Sequence, residues 1–404
     1  MVVDARHALI RLGGRLRELP SGRRPLAGEL TLATAGAKIA RVAARRLPMV
    51  VILVACVGLG AVSNGGGTEA RALTGWGWVA YERTWYDQQA GQARYWISVA
   101  RADGRSRRSV TPRPGPREQR DDQSPGWSVS GRLAFVRSLR NSIDLLVAEP
   151  GSWRVRRVNR LGVPPGVYAW GITAPAWSPD ERRIAWPAAA LFVVDVQRRT
   201  RVKVAGASCA PRWAPDGQTL LFLFGSCGEW SPEHPGVEAV RADGGARRVI
   251  ARGSFNSADW SPDGLRVAYA GDCGRLPGGD PACGVLVSDA DGSRLRRLRL
   301  PPGNVDWVRW TDASTIVAGG TGRRGGLLKI DVDAGTVRVL APGVIGDWAQ
   351  APTVTADGSI AVVQLSGPRD GRPALVDVDS GAVKWGRKPI GWTTETGATA
   401  VFVD

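Results

Sequence analysis

Trp177-Ser178-Pro179-Asp180-Glu181, Trp213-Ala214-Pro215-Asp216-Gly217 and Trp260-Ser261-Pro262-Asp263-Gly264 are three copies of one five-residue turn. Proline presets φ at the first central position of a type I turn, Asp ties down nearby backbone, and Gly takes the left-handed position from which two strands leave together. Each copy is therefore a hairpin signal. Degenerate copies stand at Trp127-Ser128-Val129-Ser130-Gly131, Trp310-Thr311-Asp312-Ala313-Ser314 and Val354-Thr355-Ala356-Asp357-Gly358, so six copies start 50, 36, 47, 50 and 44 residues apart. A hairpin recurring at that period belongs to a radial β-repeat.

The residues around the turns supply the other strands of the unit. A short apolar strand follows each turn, as in Leu133-Ala134-Phe135-Val136, Ile184-Ala185-Trp186, Leu220-Leu221-Phe222-Leu223 and Val267-Ala268-Tyr269. A third strand recurs at Leu191 to Asp195, Val285 to Asp289, Leu327 to Asp331 and Ala374 to Asp377, and a fourth, mostly basic one at 105–108, 154–157, 201–204, 247–250, 294–299 and 337–340. In a propeller the fourth strand is the outer edge, where long charged side chains discourage edge-to-edge pairing. Much of the net charge of +17 thus has a structural role, and only five of the 54 basic residues are lysine. The charge gives no argument for a nucleic-acid partner.

Trp78 to Tyr81, Tyr95 to Gly104 and 105–112 form an additional second, third and fourth strand ahead of the first recognisable turn. The fold class expected is all-β, a propeller of four-stranded blades. Residues 73–404 divided by seven give about 47 per blade, with six or eight blades as alternatives. The left-over strand Ala398 to Val403 is expected to pair beside the first unit and close the ring.

These residues resemble the TolB-like propeller family, whose signature is the Trp-Ser-Pro-Asp-Gly hairpin, and the propeller domains of dipeptidyl peptidase IV-like proteins. The resemblance implies a periplasmic interaction module. It is specific for fold and poor for function, since propellers host many unrelated activities.

Residues 47–62 run sixteen positions without a charge, directly after Arg41, Arg45 and Arg46. Such a run spans about 24 Å as a helix, short for a membrane crossing and long for a signal-peptide core. The organisation expected is a basic cytoplasmic segment (1–46), an apolar transmembrane or signal-anchor helix (47–63), a linker (64–72) and an extracytoplasmic propeller (73–404), in a bacterial cell envelope. The ten basic and three acidic residues of 1–46 keep that end inside. Cleavage near Ser63 and lipidation of Cys56 in Leu53-Val54-Ala55-Cys56 are the competing fates. The apolar run continuing past Cys56 argues against the second.

Cys209, Cys227, Cys273 and Cys283 fall in the exported part, and an even number there permits two disulfides, read as Cys273–Cys283 and Cys209–Cys227. No Cys-x-x-Cys spacing supports a metal site instead.

Catalytic readings are short of residues. The chain has two histidines, His7 and His234, and no Gly-x-Ser-x-Gly elbow, and the chain ends soon after its last unit, where a hydrolase domain would follow in the peptidases. One histidine cannot supply the metal shell of the propeller lyases. Asp121-Asp122 and Asp331-x-Asp333 read as turn residues rather than acid–base pairs. Asp180, Asp216 and Asp263 read as turn-fixing groups, and Trp177, Trp213, Trp260 and Trp310 as packing between blades. Asp379 to Trp385 resembles the quinoprotein propeller repeat but occurs once, which makes it a local hairpin. The sequence therefore points to a non-catalytic, monomeric envelope propeller without cofactor, binding a protein or cell-wall component. The alternative is a carbohydrate- or peptide-binding or processing protein using the central channel. That alternative predicts charged and aromatic side chains converging from the innermost strands, whereas a plain scaffold predicts a channel of small residues.

Overall fold

The computed structural model describes residues 78–402 except 88–90, 102–105, 117, 165–172, 226–234, 276–280, 302–304, 321–325, 341–352, 355–359, 364–372 and 386–400. All of these belong to the compact unit Gly66–Asp404. The apolar run 47–63, Cys56, Cys227 and His234 lie outside the described residues. Among the described residues no helix is long and apolar enough to cross a membrane.

The described strands form seven four-stranded antiparallel sheets. Sheet I contains β1 (Trp78–Asp87), β2 (Gln92–Arg101) and β3 (Arg108–Ser109); sheet II contains β4 (Arg120–Trp127), β5 (Leu133–Leu139), β6 (Ser142–Ala148) and β7 (Val155–Gly162). Sheet III is β8 (Ala176–Trp177), β9 (Arg183–Pro187), β10 (Leu191–Asp195) and β11 (Arg201–Ala205). Sheet IV is β12 (Ser208–Trp213), β13 (Thr219–Phe224), β14 (Gly236–Arg241) and β15 (Arg248–Arg252). Sheet V is β16 (Phe255–Trp260), β17 (Arg266–Arg275), β18 (Pro281–Asp289) and β19 (Arg296–Arg297). Sheet VI is β20 (Trp307–Trp310), β21 (Thr315–Gly320), β22 (Gly326–Asp331) and β23 (Thr336–Leu340). Sheet VII is β24 (Thr353–Val354), β25 (Ile360–Val363), β26 (Pro373–Val376) and β27 (Val383–Trp385). The last strand, β28 (Val401–Phe402), pairs with β1 through Trp78–Phe402 and Val79–Val401, so the C-terminal strand completes the N-terminal sheet.

Strands within sheets II to VII follow chain order, as do β1 to β3 of sheet I, which tight hairpins permit. The first strands of sheets II to VII contact one another in turn, and the fourth strands stand at the opposite ends of their sheets. First strands are therefore inner and fourth strands outer. The outer strands β3, β11, β15, β19 and β23 are exposed along most of their length, including the arginines of β15 and β19, whereas β7 and β27 are more covered.

The core lies between sheets because strand alternation sends apolar side chains to both faces. Leu133 and Phe135 of β5 pack with Ile97 and Val99 of sheet I. Ala134 and Val136, on the other face, pack with Ile184 and Trp186 of sheet III. The same alternation joins III to IV, IV to V, V to VI and VI to VII. Trp153 anchors the I–II junction edge-on, its ring centroid 5.4 Å from that of Trp78 and 5.9 Å from that of Trp127.

One sequence reading needs correction. Asp121 and Asp122 are not in a turn but in β4, and alternation sends them to opposite faces. Asp121 accepts the Tyr95 amide at 3.0 Å and lies 3.4 Å from Arg94 Nη1. Asp122 is fully buried against Arg137. Asp331 does cap its turn, accepting from Asp333 N and Ala334 N at 3.0 and 2.8 Å. Asp379 to Trp385 spans the β26–β27 hairpin, where Val376 pairs with Val383.

Candidate functional site

The repeated turns sit at the ends of the inner strands. Trp127, Trp177, Trp213, Trp260 and Trp310 are each the last residue of β4, β8, β12, β16 and β20. Behind each tryptophan the chain closes a turn, with Gly217 N donating to Ala214 O at 2.9 Å and Gly264 N to Ser261 O at 2.8 Å. Gly217 and Gly264 have φ of +64° and +72°, the left-handed region. The Asp side chains are consumed locally. Asp180 Oδ1 accepts from Ser178 Oγ and Arg182 N, Asp216 Oδ1 from Gln218 N, and Asp263 Oδ1 from Ser261 Oγ and Leu265 N. The Ser261 hydroxyl, and then the Leu265 amide, hold the Asp263 carboxyl below its usual range. At Asp180 burial pushes the other way, but the Ser178 hydroxyl and Arg182 amide outweigh it.

Neighbouring turns are clipped together. Pro179 and Pro215 each approach the turn glycine of the next sheet, Gly217 and Gly264. An arginine just past the turn lies over the tryptophan of the next sheet in three places: Arg132 over Trp177 at 4.5 Å, Arg183 over Trp213 at 5.0 Å and Arg266 over Trp310 at 5.1 Å. The indoles of Trp177 and Trp213 donate in turn to Gly126 O and Ala176 O of the preceding inner strand. The tryptophans therefore serve contact between sheets. Between sheets IV and V the series breaks, because Thr219 stands where an arginine would.

Glu181 replaces glycine in the first full copy of the turn and has φ of +54°. A non-glycine residue there costs roughly 1–2 kcal/mol. Its carboxylate offsets this by reaching back to sheet II, accepting from Ser130 Oγ and Arg132 Nη2, both at 2.6 Å. Burial opposes ionisation, but the Ser130 hydroxyl and Arg132 together hold the carboxyl below its ordinary 4.5. A depressed folded pKa gives stability that is complete above the unfolded value and lost as pH falls through the folded one. Glu181→Gln should therefore remove part of the loss of stability seen on acidifying from pH 5 to 3, measured as denaturation midpoints at each pH. Parallel curves for wild type and variant would show that the clip contributes nothing.

The residue before each motif tryptophan behaves differently. In β12, β16 and β20 these are Arg212, Asp259 and Arg309, on three successive inner strands. Arg212 Nε lies 3.9 Å from Asp259 Oδ1, and their side chains are 33% and 16% exposed. Asp259 Oδ2 accepts from Trp310 N at 3.1 Å, and Arg309 Nη1 donates to Ser257 Oγ at 3.1 Å and Val308 O at 2.7 Å. Burial raises the Asp259 carboxyl, against the pull of Arg309 and Arg212. Burial, and then the like charge of Arg212, push Arg309 down to about 9, against the pull of Asp259. Arg309 still carries its charge at neutral pH.

Local irregularity aims this cluster. The β12–β13 register shifts between Cys209 and Arg212, where Ala210 has φ of +49°, and the β16–β17 register shifts between Phe255 and Ser257. A bulge bends its strand and redirects the side chains that follow. The inner position in sheets II and III carries Gly126 and Ala176 instead. Reading one residue back from each repeated tryptophan would have revealed the Arg-Asp-Arg series; the turn itself drew attention away from it.

Cys209 is in β12 and is disulfide-bonded. Cys227 is outside the described residues. Cys273 and Cys283 fall on the irregular stretch of the β17–β18 ladder between the Gly271–Gly284 and Gly274–Ala282 pairs.

The sequence matches no family model, and no curated protein is recognisably similar. Solved structures similar to the chain include TolB from Acinetobacter baumannii, at 18% identity and a TM-score of 0.41 over 65% of this chain and 62% of TolB. They also include the acylaminoacyl peptidase of Pyrococcus horikoshii, at 15% identity and a TM-score of 0.55 over 78% of this chain and 51% of the peptidase. A third is the β-propeller domain of the Trilobed protease from Pyrococcus furiosus, at 14% identity and a TM-score of 0.54 over 79% of this chain and 97% of that domain. The chain thus spans less than two thirds of TolB and about half of the peptidase. Its likeness to an isolated propeller domain over almost that domain's whole length makes the fold a β-propeller.

Proposed function

We propose that the chain is a non-catalytic, seven-bladed propeller held at a bacterial cell envelope by residues 47–63, and that it binds a protein or cell-wall component at the inner rim. The observation that carries this reading is the convergence of Arg212, Asp259 and Arg309 from three successive inner strands, the pattern expected where the ring itself takes a ligand, so it favours the partner being held through a carbohydrate or peptide group over a plain scaffold. A plain scaffold has no need of charge there, and half-buried charges with unsatisfied hydrogen-bonding capacity cost stability that a ligand can recover.

Processing of a carbohydrate or peptide would require an acid, a base or a nucleophile at the same place. Within this cluster burial raises the Asp259 carboxyl, and its described neighbours are arginines and the Trp310 amide rather than a second carboxylate or a serine-histidine pair. That arrangement supports holding a ligand more than transforming it. The outer arginines line edges, which supports their duty against aggregation rather than nucleic-acid binding.

Capture from native envelopes tests the reading. Full-length wild-type protein should retain a component that the double variant Arg212→Gln, Arg309→Gln loses, while Arg154→Gln, an exposed control just before β7, retains it. Equal capture by all three proteins would move the binding surface away from the rim.

A further inference from the structure

We propose that the rim cluster is a carboxylate-binding site, selective for a monoanion that carries a hydrogen-bond donor next to its carboxyl group. This deepens the binding function proposed above and rests on it. Two guanidiniums and one carboxylate share the rim, leaving one positive charge uncompensated among the described residues near them.

The donor inventory sets the ligand. Arg309 spends Nη1 on Ser257 and Val308, and Arg212 makes a long contact from Nη1 to Pro211 O at 3.4 Å. Each guanidinium has five N–H donors in a planar fork, so both keep donors to offer. Among the described residues these take no hydrogen bond. Planar, paired donors match a carboxylate, which they bind through two parallel bonds.

Asp259 narrows the choice further. Its carboxylate already balances one arginine, so a monoanion brings the rim to neutrality. A phosphate dianion would overshoot and meet a stronger repulsion from Asp259 than a monoanion does. Asp259 Oδ1 lies 3.9 Å from Arg212 Nε, beyond hydrogen-bond distance, and can accept from a ligand N–H or O–H beside the carboxyl group. An acylated amino-acid end and a uronic acid share this chemistry.

The test uses the full-length chain in detergent and calorimetric titration with N-acetylglycine, galacturonate and inorganic phosphate. Wild type should bind at least one of the two carboxylates and bind phosphate at least about tenfold more weakly, and which carboxylate binds identifies the source. Arg212→Gln should weaken carboxylate binding about tenfold or more, the scale of a lost charged hydrogen bond. Asp259→Asn keeps the shape and removes the repulsion, so phosphate affinity should rise about tenfold. No carboxylate binding by wild type, or phosphate binding unchanged by Asp259→Asn, would overturn the assignment. If the envelope component is still captured in an arginine-dependent way when neither carboxylate binds, the rim binds something else, and only the ligand class fails.

Discussion

Asp122→Ala is expected to cost about 3–5 kcal/mol, the scale on which a buried ion pair is broken from one side. Asp122 has no exposed surface, and its two oxygens accept from Arg137 Nε at 2.6 Å and Arg137 Nη2 at 3.0 Å. Arg120 Nη1 stands 3.6 Å away, and that side chain is itself 10% exposed. Removing the carboxylate leaves the Arg137 guanidinium without this partner and facing Arg120, which keeps Glu118 at 2.7 Å, and that is why the cost exceeds the net value of the pair. Asp195→Ala is the comparison. That carboxylate caps Gln197 N and Arg198 N in an exposed turn, and its loss should cost about 1 kcal/mol. Chemical unfolding of full-length protein measures both, and equal losses would show that the β4 network is solvated after all.

Asp122 also shows where the sequence was legible. Turns, outer strands and inter-sheet apolar strands could be read because each obeys a local rule: a left-handed glycine after Pro-Asp, a basic edge, a period of two. The pairing of β28 with β1 was legible too, since an unassigned strand at one end matched a missing one at the other. Asp121-Asp122 misled because Asp is far commoner in turns than in strands, and only the distant Arg137 and Arg94 explain the exception. The rim cluster was hidden for a different reason. Arg212, Asp259 and Arg309 are separated by 47 and 50 residues, and nothing local distinguishes them from other charges in a chain with 54 basic side chains. Only the repeat period, applied one residue before the tryptophan, places them on neighbouring strands.

The second large effect links this cluster to the backbone beneath it. Gly271→Ala is expected to destabilise the protein by about 4 kcal/mol or more, a loss that requires a specific structural mechanism. Gly271 has φ of +128°, a conformation that L side chains rarely adopt. A Cβ there would lie 2.6 Å from Ser254 O, 2.8 Å from Phe255 Cα and 3.0 Å from Asn256 N. These are backbone atoms and cannot rotate aside, so the strand itself must move. The strand is β16 at its register shift, where Phe255 pairs with Gly271 and Ser257 with Ala270. Displacing it shifts Ser257 and Asp259 together, one holding Arg309 and the other lying against Arg212. Any variant that remains folded should therefore lose envelope capture along with stability, although residue 271 carries no polar side chain. Gly206→Ala is the control: a Cβ at Gly206 meets no atom within 4 Å, and the change should stay within about 0.5 kcal/mol. If Gly271→Ala unfolds no more easily than Gly206→Ala, the close approach of β17 to β16 is not what shapes the rim.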